Sequence, residues 1–363
     1  MNIGFDAKRA FHNTRGLGHY SRNTIENLIA QNNHNYFLFT TKAKESLFDP
    51  KEKKCTIISN NSLFKSIWRS KIIVNDLKKN KIDLYHGLSN ELPFGIHKTS
   101  IKRIVTIHDL LFIKHPNLYP IIDRFIYKYK TRYACFAANH IIAISKNVKQ
   151  QLIDFFDINP NKISVIYQSC NNCFQRTTNN KESNIIKKKF NLPENFILCV
   201  GTIEKRKNLT PIIKQINKIE EKLVIVGKKG NSFNKITNHI NENNLNNKIL
   251  FLHNVPSKEL ASIYSLSNAL VFPSIDEGFG IPIIEALFSK TPVICFNKKA
   301  TIEAGGKHSI YINSENELPE VLNKLRNNIS FKKNIIEEGY IHAKNFSSKK
   351  TTKSLLNIYK NVI

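Results

Sequence analysis

Acidic side chains are scarce in this sequence. Asp and Glu number 28 against 55 Lys and Arg, a formal net charge of +27 over 363 residues, with a pI near 9.8. The excess is lysine; arginine, whose planar fork reads bases and phosphates in pairs, is uncommon. No nucleic-acid partner is therefore expected. Attraction to an anionic membrane surface needs only point charges and stays open, as does a plain compositional bias toward Lys, Asn and Ile. No run of 18 apolar residues occurs, so no membrane-spanning helix is expected. Cys170 and Cys173 form one C-x-x-C with neither a second pair nor a histidine at zinc spacing. The six cysteines lie mostly in apolar patterns, as buried free thiols do. Met1 to Asp6 reads directly as a strand and not as a secretory signal. The expected compartment is the cytoplasm, with peripheral attachment at the inner face of the membrane open.

What is present is the composition of a globular α/β protein: 41% hydrophobic and 23% charged residues. Short apolar runs at 3–5, 36–39, 82–86, 104–108, 141–144 and 163–166 read as strands. Helical patterns at 18–30, 66–79, 119–138 and 146–155 separate several of them. A polar stretch over 168–191 breaks the rhythm and reads as a linker with an entry helix. A second series of strands follows at 196–200, 223–226, 249–252, 269–272, 292–295 and 309–312, with closing helices at 315–326, 331–345 and 348–361. Strands alternating with helices mean parallel sheets covered on both faces. Two such series predict two doubly wound, Rossmann-like domains, over 1–175 and 190–347, with the helix at about 348–363 packing back on the first.

Four sites could carry chemistry. Gly16-x-Gly18-x-x-Ser21 opens a helix, where backbone amides can approach an anion. It only half resembles a dinucleotide fingerprint, and a tight turn explains it equally well. His108 and Asp109 end a strand, the edge at which open α/β sheets bind ligands. Alternatively His108 is a satisfied core histidine and Asp109 a cap. Gly201-Thr202-Ile203-Glu204-Lys205-Arg206-Lys207-Asn208 again runs from strand to helix, and Arg206 with Lys207 could clamp a diphosphate. Most specific is Asp276-Glu277-Gly278-Phe279-Gly280-Ile281-Pro282-Ile283-Ile284-Glu285: a glycine turn, a proline able to start a helix, and two carboxylates bracketing that start. Amides from Gly278 to Ile281 would face an anion or sugar oxygens, with Glu285 in the first helical turn. One such glutamate could simply stabilise the helix dipole; two with both glycines are harder to explain so.

In this order and spacing, together with Ser145 and Glu303-Ala304-Gly305, these motifs resemble the retaining glycosyltransferases of family 4. The resemblance covers nearly the whole chain, and Glu277-x7-Glu285 is its specific element. It implies the GT-B fold, an active site in the cleft between the domains, and a nucleotide-sugar donor. It implies Gly18 against the donor diphosphate, His108 and Asp109 on the acceptor side, His108 also touching the donor sugar, and Lys207 neutralising the diphosphate. Glu277 would hold sugar hydroxyls and Glu285 the ribose. Thr202 stands where family members often carry arginine, so Arg206 is expected to take more of the phosphate charge; this variant resembles a mannosyltransferase-like subset. The implied acceptor is a glycan or lipid-linked saccharide in cell-surface polysaccharide or lipopolysaccharide assembly. No Asp-x-Asp occurs, which argues against the metal-dependent transferase fold; neither metal nor other cofactor is expected, because a fixed Arg-Lys pair can replace the metal. Two rivals remain: a nucleotide-sugar epimerase of the same architecture, and a basic nucleic-acid binder. The segment 64–79, with Trp68 and Arg69, is expected either to rest on an anionic bilayer or to be an amphipathic packing helix.

Overall fold

The computed structural model describes residues 1–31, 34–42, 47–50, 55–60, 64–176 and 179–363. The chain forms two compact units, Met1–Ser169 with Ser348–Ile363, and Cys170–Ser347.

The first unit is a seven-stranded sheet of β1 (Asn2–Asp6), β2 (Asn35–Thr40), β3 (Cys55–Ser59), β4 (Leu84–Gly87), β5 (Lys102–Ile107), β6 (His140–Ala143) and β7 (Ile163–Val165). Its order is β3-β2-β1-β4-β5-β6-β7, and every pairing is parallel. Central strands are buried along their length because helices cover both faces. Its helices are α1 (Lys8–His12), α2 (Gly16–Gln31), α3 (Lys65–Ile67), α4 (Ile73–Lys79), α5 (Leu111–Lys114), α6 (Ile121–Ala137) and α7 (Lys146–Phe156). Ser145 caps α7, its hydroxyl accepting from the Val148 amide at 3.0 Å.

The second unit is a six-stranded sheet of β8 (Phe196–Val200), β9 (Lys222–Val226), β10 (Ile249–Leu252), β11 (Ala269–Phe272), β12 (Val293–Phe296) and β13 (Ile310–Ile312), ordered β10-β9-β8-β11-β12-β13 and parallel throughout. Around it run α8 (Asn180–Phe190), α9 (Leu209–Gln215), α10 (Phe233–Glu242), α11 (Ser257–Leu266), α12 (Ile281–Phe288), α13 (Lys299–Gly305), α14 (Leu318–Asn327) and α15 (Ile329–Ala343). The last helix, α16 (Ser348–Val362), returns to the first unit, where Leu355 and Tyr359 enter the core beside Phe5, Ile25 and Tyr36.

Three sequence expectations change. The helix over 66–79 is interrupted by a π-helical turn, Trp68–Ile72. Trp68 and Arg69 point inward, 1% and 9% exposed, so neither can rest on a bilayer. Edge strand β3 was not foreseen, because most of it is exposed and its apolar signal is short. Helix α12 already begins at Ile281, one residue before Pro282 and directly after Gly280 at φ +122°, so Glu285 lies in the second turn and not the first. The positive φ keeps Gly280 itself outside the helix: it is a glycine conformation that cannot propagate one.

Candidate active site

In both sheets the strand order reverses beside the first strand of the series: between β1 and β4, and between β8 and β11. Loops leaving the carboxyl ends of strands at such a point are where open α/β sheets hold ligands. In the second unit those loops carry Arg206 and Lys207 after β8, and Glu277 after β11.

They meet. Lys207 Nζ lies 2.7 Å from Glu277 Oε1, and Arg206 contacts the other carboxylate oxygen. Arg206 also pairs with Glu204 Oε1 at 2.8 Å. The Ile275 amide donates to the Arg206 carbonyl at 2.9 Å, tying the two loops together. Lys207 runs across Gly201: a Cβ there would stand 2.7 Å from Lys207 Cε, and Gly201 has φ +144°. That close approach is why the strand ends in glycine. The ammonium sits 4.8 Å from the centre of the Phe272 ring. Burial alone would push the Glu277 carboxyl up, but the charges of Lys207 and Arg206 outweigh it and hold the group down at about 2. The site is thus two cations and two carboxylates, fixed by strand ends.

Glu285 lives differently. Burial raises its carboxyl to about 7, although the Tyr264 hydroxyl and the charge of Lys207 both pull it down. Tyr264, from α11, donates to Glu285 Oε2 at 2.9 Å. The thiols of Cys170 and Cys173 also feel the Glu285 charge. Lys207 therefore acts electrostatically on both glutamates of the motif. Phe279 is buried and packs edge-on against Phe346 at 5.4 Å, so its ring belongs to the core. Thr202 and Gly278 lie in the same two loops. Neither Tyr264 nor the counter-ion role of Glu204 was foreseen. Tyr264 sits in no motif, and only the packing of α11 on α12 brings it in.

In the first unit, His108 follows β5 and is 5% exposed. Its Nε2 donates to the Leu88 carbonyl at 2.8 Å, so Nδ1 accepts from Gln168 Nε2 at 2.9 Å. Burial lowers the imidazole to about 4. A neutral ring with both nitrogens engaged is poorly placed as a general base. Tyr20 of α2 meets it edge-on at 4.6 Å. The Asp109 carboxylate accepts from the Leu111 amide at 3.3 Å, a local turn ahead of α5, whose N-cap is Leu110. Gly16 begins α2, with open space where a Cβ would be; at Gly18 the Asn13 carbonyl oxygen is 1.7 Å from that position, so internal packing alone requires glycine there.

Two doubly wound parallel-sheet units with charged residues gathered at strand ends define a GT-B protein. The chain belongs to the glycosyltransferases: residues 14–171 match the Glycosyltransferase Family 4 model and residues 180–342 the Glycosyl transferases group 1 model. It is 32% identical over 215 residues to the O-antigen chain mannosyltransferase RfbU of Salmonella typhimurium, a match spanning 59% of this chain and 57% of that protein. It is 24% identical to O-antigen chain mannosyltransferase B of Escherichia coli, over 78% of this chain and 76% of that one. Among solved structures, Anabaena Alr3699/HepE in complex with UDP-glucose superposes with a TM-score of 0.80 at 14% identity, covering 99% of this chain and 100% of that chain. At that identity the likeness bears on the fold alone.

Proposed function

We propose that this glycosyltransferase moves a hexose, with mannose favoured, from a nucleoside-diphosphate sugar to a glycan or lipid-linked saccharide, with retention of configuration and without a metal. Mannose and a role in O-antigen or lipopolysaccharide assembly are supported by the relatives RfbU and mannosyltransferase B. The observation that carries the reading is the Glu277 carboxylate held between Lys207 and Arg206 at the second unit's switch point. Departure of a nucleoside diphosphate builds negative charge on the leaving oxygen, and fixed cations stabilise it. The incoming diphosphate supplies the counter-charge that Glu277 and Glu204 give within the chain, which releases Glu277 for sugar hydroxyls. Glu285 holds the ribose. Gly18 lies against the diphosphate through its backbone, and the amides from Gly278 to Ile281 face phosphate or sugar oxygens. The acceptor hydroxyl passes its proton to the departing phosphate, while His108 and Asp109 shape the acceptor side by contact.

The test is transfer from GDP-mannose, UDP-glucose and ADP-glucose to a lipid-linked saccharide in the presence of EDTA, with the product anomer read by NMR. Retained configuration with undiminished turnover in EDTA is expected. Lys207→Ala should lose on the order of 10²–10³ in rate. Inversion, or activity that returns only with a divalent cation, overturns the mechanism; a new free nucleotide sugar formed from donor alone marks an epimerase instead.

A further inference from the structure

Apolar side chains on the surface of α6 form one continuous stripe. Ile121, Ile122, Phe125 and Tyr129 are 66%, 73%, 71% and 67% exposed, and Ile126 and Phe136 are exposed as well. At 3.6 residues per turn, 121, 125, 129, 132 and 136 fall in one row, and 122 and 126 widen it. The opposite face, Thr131, Ala134, Cys135 and Ala137, is buried against the first unit. Core packing therefore explains one side of this helix and leaves the more apolar side uncovered.

The stripe extends beyond the helix. Phe94 packs on Tyr129 and Tyr133, with ring centres 5.7 and 4.5 Å away, and its amide donates to the Ser70 carbonyl at 2.7 Å. It thereby links α6 to the segment around the π turn. That turn sends Trp68 and Arg69 inward and leaves Phe64 and Ile67, 67% and 51% exposed, outside.

The exposed charges on this surface are basic, and Glu91, beside Phe94, is partly buried and paired with Arg69 and Lys130. Lys128 and Arg132 are exposed along α6, and Lys65 and Lys71 beside the π turn. Arg132 lies over the Phe136 ring at 5.6 Å. Asp123, the one acid of α6, falls on the other side of the wheel. Protein interfaces deplete lysine at their centres, whereas an amphipathic helix lying in a lipid headgroup region joins large apolar side chains to a basic flank. Among the described residues no helix is long and apolar enough to cross a membrane, so contact would be in the plane of the surface. The 17 residues of α6 give about 25 Å of such contact.

We propose that the outer face of α6, with Phe64 and Ile67, docks this protein on an anionic lipid surface, the apolar stripe entering the headgroup layer and the lysines and arginines meeting its phosphates. The inference does not depend on which nucleotide sugar is used, and its test does not read transfer.

The full chain is sedimented with vesicles of phosphatidylcholine alone and of phosphatidylcholine mixed with phosphatidylglycerol, at low and high salt. Binding is expected to the mixed vesicles only and to weaken with salt. Replacing Ile122, Phe125 and Tyr129 together by Ser should reduce partition roughly tenfold or more, and so should Lys128→Glu with Arg132→Glu. Ile329→Ser, on an exposed apolar residue of the second unit, should change nothing. Emission from Trp68 shows whether each variant remains folded; if the serine variant does not, the charge-reversal variant decides. Failure of the parent protein to bind mixed vesicles, or equal binding by the stripe variants, overturns the proposal. So does a concentration-dependent dimer that the serine variant abolishes without any vesicle binding, which would make the stripe a self-association face.

Discussion

Glu277 and Glu285 stand on one short stretch of chain in opposite electrostatic surroundings. Two cations hold Glu277 ionised, whereas Glu285 has mainly a neutral hydroxyl for support and sits near neutrality. The groups facing Glu285 are Tyr264, Lys207, Cys170 and Cys173. Because the Tyr264 hydroxyl donates to the carboxylate, it favours the ionised form. Tyr264→Phe should raise the Glu285 pKa further and lower the ionised fraction at neutral pH. If ionised Glu285 holds ribose hydroxyls, donor KM at pH 7 rises about tenfold, the worth of one hydrogen bond to a charged group. It then recovers toward pH 9 while kcat changes little. Donor KM from pH 6 to 9 is the measurement, and an unshifted profile would refute the role. The sequence made the two glutamates and the Arg-Lys pair legible because each lies in a strand-to-helix loop with local turn chemistry. It could not reveal Tyr264, which reaches Glu285 only through the packing of α11 on α12, nor the Leu88 and Gln168 partners that satisfy His108.

At the scale of elements, strands were easier to read than helix interruptions. Buried parallel strands announce themselves as apolar runs: β8, β10 and β11 begin and end where those runs do, and β9 begins one residue earlier. The π turn at Trp68–Ile72 has no such local mark, since its cause is remote. Arg69 turns inward to meet Asp6 Oδ2 at 2.5 Å and Glu91 Oε2 at 2.6 Å, and Lys130 approaches Glu91 at 3.5 Å. Burial would raise the Asp6 carboxyl, but Arg69 outweighs it and holds the group down. Asp6 therefore contributes stability above its unfolded value near 3.8, which is lost as pH falls through the lower folded value. Arg69→Met should leave Asp6 buried without its partner and cost about 3–5 kcal/mol. Adding Asp6→Asn should restore part of that loss. Urea unfolding followed at Trp68, the preceding residue, measures both, and a loss under about 1 kcal/mol would mean that the pair is solvated like a surface bridge.

Across the whole molecule, titrating groups in the two units push stability in opposite directions with pH. In the first unit, burial lowers His86 to about 3 and His108 to about 4. Below pH 6.5 the unfolded chain protonates both histidines while the folded unit does not. Each then subtracts stability at up to about 1.4 kcal/mol per pH unit until its folded value is reached. In the second unit Glu285 has the reverse sign. Between 4.5 and about 7 the folded chain keeps a proton that the unfolded chain has lost, so its contribution falls as pH rises. The single tryptophan belongs to the first unit, so its emission separates the two effects. His86 also anchors α16: its Nδ1 lies 2.6 Å from the Tyr359 hydroxyl, and its Nε2 lies 2.8 Å from Thr106 Oγ1. Tyr359→Phe removes one of these partners and should cost about 1–3 kcal/mol at every pH, leaving the acid slope in place. Urea midpoints read at Trp68 between pH 4 and 7 should fall steadily toward acid in the parent chain and run parallel but lower in the variant. A flat parent profile would mean that His86 and His108 reach solvent in the folded protein, and would remove the sealed core that fixes His108 as neutral.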